Sequence, residues 1–263
     1  MTRFIYYWVT LPSRFGSLTA KDRENGFCRF RSTLEKGGQL FDESGVLQRD
    51  LYVEVLVKPV FLLIHGWGFD ATFWTPLQKA LEFDAIAWDL GFFGSAARPP
   101  LPPGRPVIAV GHSFGMLWLL HHRPVAWRAV VSINGFSCFT RRETFAAGIA
   151  ASSLGRMICQ CVEAPLQVVT DFRKRCGNST QFPGAPDPTR LLDGLQALLT
   201  WDERPTPIQL ALCGRTDPLI PSPMSEACFA QDRIAWHEGG HLLPQEDPAW
   251  CAIQLRRMVE RLS

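Results

Sequence analysis

The sequence predicts an α/β protein in which helices flank a mostly parallel sheet. Short, continuously apolar runs of strand length recur along the chain, and segments with helical periodicity separate them. Strands that are covered by helices on both faces need such unbroken apolar runs, so the alternation indicates a layered α/β architecture. The predicted strands are 51–57, 60–64, 85–90, 107–110, 129–133, 208–213 and 233–236. The clearest predicted helices are 71–81, 114–122 and 248–262.

Composition narrows the classes of protein. The 263 residues carry 27 basic and 25 acidic side chains, a formal charge of +2, which argues against a nucleic-acid partner. The chain contains no run of about 18 apolar residues, so we expect no membrane-spanning helix. The eight cysteines are irregularly spaced, which favours reduced, mostly buried thiols over disulfides or a metal site. The apolar stretch at 4–9 is shorter than a signal-peptide core, so we expect a cytoplasmic protein.

The pattern changes along the chain and suggests its organisation. Residues 1–50 lack sustained periodicity and hold eight basic and six acidic residues, so they contain the whole charge excess. We interpret them as an N-terminal extension. Residues 51–263 are predicted to form a single α/β domain, because a chain of this length can bury one large core. Within the domain, residues 137–203 show no convincing strand and are interpreted as a helical lid inserted over the site.

One strand-to-helix junction has the pattern of a serine nucleophile. The predicted strand 107–110 leads into GHSFG at 111–115, and a predicted helix follows. In this context a GxSxG segment places the serine on a tight, strained turn and lifts its hydroxyl above the sheet edge. Side chains at the two glycine positions would collide with their surroundings. We therefore predict that Ser113 is a catalytic nucleophile.

A glycine-rich loop after an earlier strand predicts an oxyanion hole. Strand 60–64 is followed by HGWG at 65–68. In acyl-transfer sites of this architecture, a backbone N–H from such a loop pairs with the N–H just after the nucleophile. The predicted donors are the amides of Trp67 and Phe114, which would stabilise a tetrahedral oxyanion. His65 is interpreted as a structural residue that holds the loop.

The acid and the base are predicted from loops that follow two later strands. Asp217 comes just after strand 208–213 and His241 comes after strand 233–236, in the chain order serine, acid, histidine. His241 would take the serine proton, while Asp217 would fix its tautomer and stabilise the imidazolium. His237 is the main rival base. We favour His241 because a glycine pair precedes it.

Four segments, in this order, resemble the α/β-hydrolase superfamily: HGWG, GHSFG, GRTDPLIP at 214–221 and GGHLLPQEDP at 239–248. More narrowly, LLIHGWGFDATFW, DLGFFGSA and SCFTRRETF resemble the esterases that cleave the methyl ester of pimeloyl-acyl-carrier protein in biotin synthesis. The second of these segments departs from the family, since it lacks the proline of the usual D-L-P-G-F-G-x-S pattern. The resemblance implies serine esterase chemistry without a cofactor or metal, and contact between Phe172 and the substrate.

The resemblance also implies a small acyl ester substrate that is presented on acyl-carrier protein. Separately, we expect a monomer. Basic residues of the insertion, with Arg141 and Arg142 as the candidates, would dock the acidic carrier. Apolar residues from Leu154 to Phe172 would either line an acyl tunnel or pack the insertion onto the core. Two other functions stay open. One is a broad esterase, thioesterase or carbon–carbon bond hydrolase that uses the same residues, and the other is a non-catalytic ligand-binding protein.

Overall fold

The structure, a computed structural model, describes residues 58–178 and 181–262. The extension at 1–50 and the predicted strand 51–57 lie outside these residues. The boundary that the sequence analysis sets at residue 51 therefore remains a prediction. All statements below concern the described part of the chain.

The described strands form one parallel sheet. Its strand order is β2-β1-β3-β4-β5-β6, and each neighbouring pair is parallel. The predicted strands from residue 60 onward are confirmed, with ends that shift by one or two residues. The strands are β1 Val60–Ile64, β2 Ala85–Trp88, β3 Val107–His112, β4 Ala129–Ile133, β5 Leu210–Gly214 and β6 Ile234–His237.

Helices connect the strands and cover both faces of the sheet. The predicted helices 114–122 and 248–262 are confirmed, whereas 71–81 divides into a 3₁₀ turn (Ala71–Trp74) and a short α-helix. The turn forms because the Asp70 carboxylate accepts a hydrogen bond from the Thr72 N–H, which tightens the chain at this point. The α-helices are α1 Thr75–Ala80, α2 Phe114–His122, α3 Ala151–Glu163, α4 Pro165–Arg175, α5 Pro188–Thr200, α6 Ser222–Cys228, α7 Leu243–Glu246 and α8 Pro248–Leu262.

Strand β1 shows why the apolar runs are continuous. All five of its residues are buried, and alternate side chains enter different cores. Leu62 and Ile64 pack on the face covered by α2 and the insertion, whereas Phe61 and Leu63 pack on the face covered by α8 and the 3₁₀ turn. Because side chains alternate across a strand, a sheet with two covered faces needs apolar residues at every position.

The segment between β4 and β5 is a helical insertion, here residues 137–203. It contains α3, α4 and α5, and the described part of it holds isolated bridges but no full strand. Leu154 and Val169 are buried in the core on the α2 face, so they pack the insertion onto the domain. Val162 and Leu166 are 66% and 52% exposed, so these two residues neither pack the core nor line a tunnel.

Two further expectations concern composition. None of the described helices combines the length and the apolar character that a bilayer crossing requires. The described cysteines carry free thiols, and six of them are buried while Cys159 is exposed. Burial raises the pKa values of Cys161, Cys213 and Cys228, which keeps these thiols protonated.

The parallel sheet brings the predicted catalytic residues to one edge. Ser113 follows β3, Asp217 follows β5 and His241 follows β6. Since all strands run in the same direction, these loops emerge at the edge where the strands end, which we call the carboxyl edge. Strand β4 lies between β3 and β5, so its end lies between the serine loop and the aspartate loop.

Candidate active site

Ser113 lies on a strained turn between β3 and α2. Its backbone has φ 51° and ψ −124°, in a region that residues other than glycine rarely adopt. The Ser113 N–H donates to the carbonyl oxygen of Ile133, the last residue of β4, at 3.1 Å. This backbone bond helps to hold the turn in its unfavourable conformation.

The two glycines of the turn are required by close backbone contacts. A Cβ atom at Gly111 would lie 2.3 Å from the Cα atom of Met116. One at Gly115 would lie 2.2 Å from the carbonyl oxygen of Ile64, at the end of β1. Backbone atoms cannot move aside as a flexible side chain can, so both predicted collisions are confirmed.

The HGWG loop lies beside the serine. A Cβ atom at Gly66 would be 3.1 Å from the Ser113 Cβ, so the backbone of this loop passes next to the nucleophile turn. Within the described residues, the Trp67 N–H donates to no protein acceptor, and Phe114 is the first residue of α2, where helical N–H groups have no partner in their own helix. Neither predicted oxyanion donor is therefore engaged by another backbone carbonyl in the described part of the chain.

Asp217 and His241 form a buried pair. The His241 Nδ1 is 2.7 Å from the Asp217 Oδ2, and the two side chains are 0% and 1% exposed. The other carboxylate oxygen accepts hydrogen bonds from the Leu219 and Ile220 N–H groups. In the neutral tautomer that donates from Nδ1 to Asp217, Nε2 is the acceptor nitrogen of the ring. This buried nitrogen has no hydrogen-bond partner among the described residues.

The rival base has a structural role. The His237 Nδ1 accepts a hydrogen bond from the Gly239 N–H at 2.8 Å, and its Nε2 faces Asp247 at 3.3 Å. Asp247 in turn accepts from the Trp250 N–H in the first turn of α8. His237 thus connects the loop after β6 to the start of α8, and its ring nitrogens are directed away from Asp217.

His112, which precedes the serine, packs behind His241. Its Nε2 donates to the His241 carbonyl oxygen at 2.9 Å, and its ring stacks on Phe73 with centroids 4.3 Å apart. Burial, together with the neighbouring His241, lowers the pKa of His112 well below its usual value. His112 is therefore a neutral donor that supports the loop of His241.

His65 and Asp89 hold the HGWG loop and the segment after β2, and the role of Asp89 is one that the sequence analysis missed. The His65 Nδ1 donates to the Gly66 carbonyl, and its Nε2 accepts from the Leu90 N–H. Asp89 accepts hydrogen bonds from the Ala71 and Gly91 N–H groups. Burial opposes ionisation of this carboxyl, but these bonds and the contact with His65 outweigh it and lower the Asp89 pKa to about 2. An aspartate directly after a strand is the only sequence signal for this role.

The insertion contacts the HGWG loop directly. The Trp67 indole N–H donates to the Leu191 carbonyl oxygen in α5 at 2.8 Å. The Phe172 ring in α4 meets the Trp67 ring edge-on, with centroids 4.9 Å apart. Val169 lies against Gly68 of the same loop. The structure thus places Phe172 next to the predicted oxyanion hole.

The two candidate docking arginines differ in their surroundings. Arg142 donates to the carbonyl oxygens of Leu199, Thr200 and Trp201, and it lies 3.4 Å from Asp202. These carbonyls end α5, so Arg142 caps the helix, and its role in docking stays a prediction. Arg141 is exposed, and its Nε donates to the Ala146 carbonyl oxygen.

Comparisons with known proteins support the fold. No protein-family model matches the chain, and no curated protein matches it in sequence. An esterase from Exiguobacterium antarcticum is similar in structure, with a TM-score of 0.64 and 14% identity over 77% of this chain and 92% of that one. A thermophilic esterase from Thermogutta terrifontis has a TM-score of 0.61 and 16% identity, over 78% of this chain and 90% of that one. BioG from Haemophilus influenzae has a TM-score of 0.54 and 17% identity, over 74% of this chain and 94% of that one. The described domain therefore has the α/β-hydrolase fold.

Two glycine-to-alanine substitutions should have opposite effects. At Gly115 the added methyl group meets the Ile64 carbonyl, so we expect a loss of about 3 kcal/mol in the free energy of unfolding. At Gly155, within α3, nothing lies within 4 Å, so alanine should stabilise the helix by up to about 1 kcal/mol. Urea denaturation of both variants checks this. Equal losses in the two would contradict the close contact at Gly115.

Asp89 should contribute stability that is lost in acid. Because its folded pKa of about 2 is below the reference value of 3.8, the contribution is present above pH 3.8 and disappears as the pH falls toward 2. Between about pH 5 and pH 2, the free energy of unfolding of wild type should therefore fall by about 2 kcal/mol more than that of Asp89→Asn. Urea midpoints across this range measure the difference. Parallel pH dependences in the two proteins would count against the ionised, hydrogen-bonded Asp89.

Proposed function

We propose that this chain is a serine ester hydrolase that uses Ser113, His241 and Asp217. The observation that carries the proposal is the buried Asp217–His241 pair, whose free Nε2 lies at the same edge of the sheet as the strained serine turn. Two backbone amides beside the serine, which have no partner among residues 58–178 and 181–262, add the donors that an oxyanion needs. A ligand-binding protein would have no use for a base that is oriented in this way.

The proposed reaction proceeds through an acyl-enzyme. The Ser113 Oγ attacks the ester carbonyl carbon while its proton moves to the His241 Nε2. The carbonyl oxygen becomes an oxyanion that the Trp67 and Phe114 N–H groups stabilise. The carbon–oxygen bond to the alcohol then breaks, and the alcohol leaves with the proton from His241. Water repeats the sequence on the acyl-enzyme, which releases the carboxylic acid and regenerates Ser113.

Replacing the nucleophile should abolish turnover without unfolding the protein. Ser113→Ala should lower kcat for p-nitrophenyl acetate by at least about a thousandfold, since no other residue can form the acyl-enzyme. A fluorophosphonate probe should label wild type at Ser113 and leave the variant unlabelled. Ser225→Ala, a buried serine in α6, is the matched control and should be labelled like wild type. Near-wild-type hydrolysis by a folded Ser113→Ala protein would refute the assignment.

For the substrate, we propose the methyl ester of pimeloyl-acyl-carrier protein, hydrolysed in the cytoplasm during biotin synthesis by a monomeric enzyme. The support is the sequence resemblance around 62–74, 89–96 and 137–145, and the contact of α4 and α5 with the oxyanion loop. In this proposal the insertion acts as a lid over the acyl group. Arg141 and Arg142 are the proposed docking residues, of which Arg141 is the exposed one, and Phe172 is the proposed substrate contact.

The carrier proposal is tested by charge reversal. Arg141→Glu should lower kcat/KM for the carrier-bound methyl ester by about tenfold at low salt and leave p-nitrophenyl acetate hydrolysis unchanged. Arg257→Glu, an exposed change of the same charge in α8, is the matched control. Complementation of a biotin auxotroph that lacks its esterase tests the pathway. Equal kcat/KM values for the two variants on the carrier-bound ester would exclude Arg141 docking. A preference for thioesters, or absence of complementation, would favour the broader hydrolase alternative.

A further inference from the structure

Asn134 lies at the centre of the carboxyl edge. It directly follows β4, it is 1% exposed, and its φ of 45° is in the left-handed region that asparagine tolerates better than most residues. Its N–H donates to the Leu212 carbonyl oxygen of β5 at 2.8 Å. This conformation turns the chain away from the sheet at the point where the serine loop and the aspartate loop pass on either side.

The side-chain amide of Asn134 binds the backbone of two loops. Its Oδ1 accepts from the Gly214 N–H at 2.7 Å, at the end of β5. Its Nδ2 donates to the carbonyl oxygens of Gly240 and His241 at 2.8 and 2.9 Å, in the loop after β6. The amide therefore uses its acceptor on a main-chain group three residues before Asp217, and its donors on the carbonyls of His241 and of the residue before it.

We propose that Asn134 is the positioning residue that sets the relative placement of Asp217 and His241, an inference that rests on the proposed function. Only an amide of this size offers two donors and an acceptor from one short side chain. Aspartate keeps the acceptor for Gly214 but directs a second oxygen at two carbonyl oxygens. Leucine has a similar volume and makes none of the three bonds.

Backbone hydrogen bonds also join these two loops, since the Arg215 N–H donates to the His237 carbonyl oxygen at 2.7 Å and the Thr216 N–H donates to the Gly239 carbonyl oxygen at 3.2 Å. A Cβ atom at Gly214 would lie 2.4 Å from the Gly240 carbonyl oxygen, so the two backbones are already in contact and any shift of one moves the other. The His241 carbonyl receives a second hydrogen bond from His112. The residue before Asn134, Ile133, accepts from the Ser113 N–H. The end of β4 thus contacts the loops of all three proposed catalytic residues.

The test compares Asn134→Asp and Asn134→Leu with Val131→Ala, a buried change in the same strand that is remote from the site loops. Three quantities are measured in the full chain: the Tm, the rate of Ser113 labelling by a fluorophosphonate at saturating probe, and the NMR signal of the His241 Nδ1 proton. Loss of the two donors should lower the labelling rate by roughly tenfold to a hundredfold in both Asn134 variants, since a small misplacement of the base is sufficient. The Nδ1 proton signal should shift or broaden. Val131→Ala should lower the Tm comparably while its labelling rate stays within about twofold of wild type.

Several outcomes would overturn the proposal. If a folded Asn134→Asp protein reacts at the wild-type rate with an unchanged His241 signal, Asn134 does not position the pair. If the Asn134 variants do not fold, hydrogen exchange of the Asn134 side-chain amide in wild type decides: slow exchange supports the three bonds, and fast exchange refutes them. Failure of wild type to react with the probe would instead refute the proposed function, so the two failures are distinguishable.

Discussion

The carboxyl edge of the sheet is defined by direct contact between backbones. At three places, Gly111, Gly115 and Gly214, an added Cβ atom would lie 2.2–2.4 Å from a backbone atom of another residue in this chain. These contacts bring the loops after β1, β3, β5 and β6 close enough for backbone groups of one strand end to satisfy those of the next. The short distance between Asp217 and His241 and the strained serine turn both depend on this proximity, because neither loop could adopt its shape alone.

Hydrogen-bond direction gives the buried histidines different roles. His65 and His112 each donate one ring N–H to a backbone carbonyl, and both rings are held by loops of the carboxyl edge. The His112 Nδ1 and the His241 Nε2 both lack a partner within the described chain, but of these three histidines only His241 donates toward a carboxylate. Three chemically identical side chains within one small region are thus divided into two that support the site and one that can accept a proton. The partner of the donated proton makes this distinction.

The sequence predicts the parts of this protein that depend on local rules. Strands with two covered faces need unbroken apolar runs, so β1 and β4 are recognisable from a few consecutive residues. A serine turn that packs against backbone needs glycine on both sides, so GHSFG is recognisable in the same way. The roles of Arg142, Asp89 and Asn134 depend on partners that are distant in sequence. Arg142 meets carbonyls 57 to 59 residues away, and Asn134 meets groups 80 to 107 residues away. No local pattern contains these partners, so only the folded chain shows the bonds. The split of the predicted helix 71–81 is partly predictable. The capping Asp70 and the Pro76 are visible in the sequence, but the sequence does not show that together they divide the segment into a 3₁₀ turn and a short helix.

The exposed apolar residues at the corner between α3 and α4 have a consequence for how the sequence of this protein could diversify. Val162 and Leu166 are exposed, whereas Gly111, Gly115 and Gly214 of the carboxyl-edge loops lie against other backbone atoms. Variation is therefore unequally distributed: this corner can accept new side chains at little cost in stability, and the loops that hold the proposed reaction centre cannot. Laboratory evolution of substrate range would accumulate its accepted substitutions in α3 and α4, and leave the glycines and hydrogen-bonded polar residues of the sheet edge unchanged.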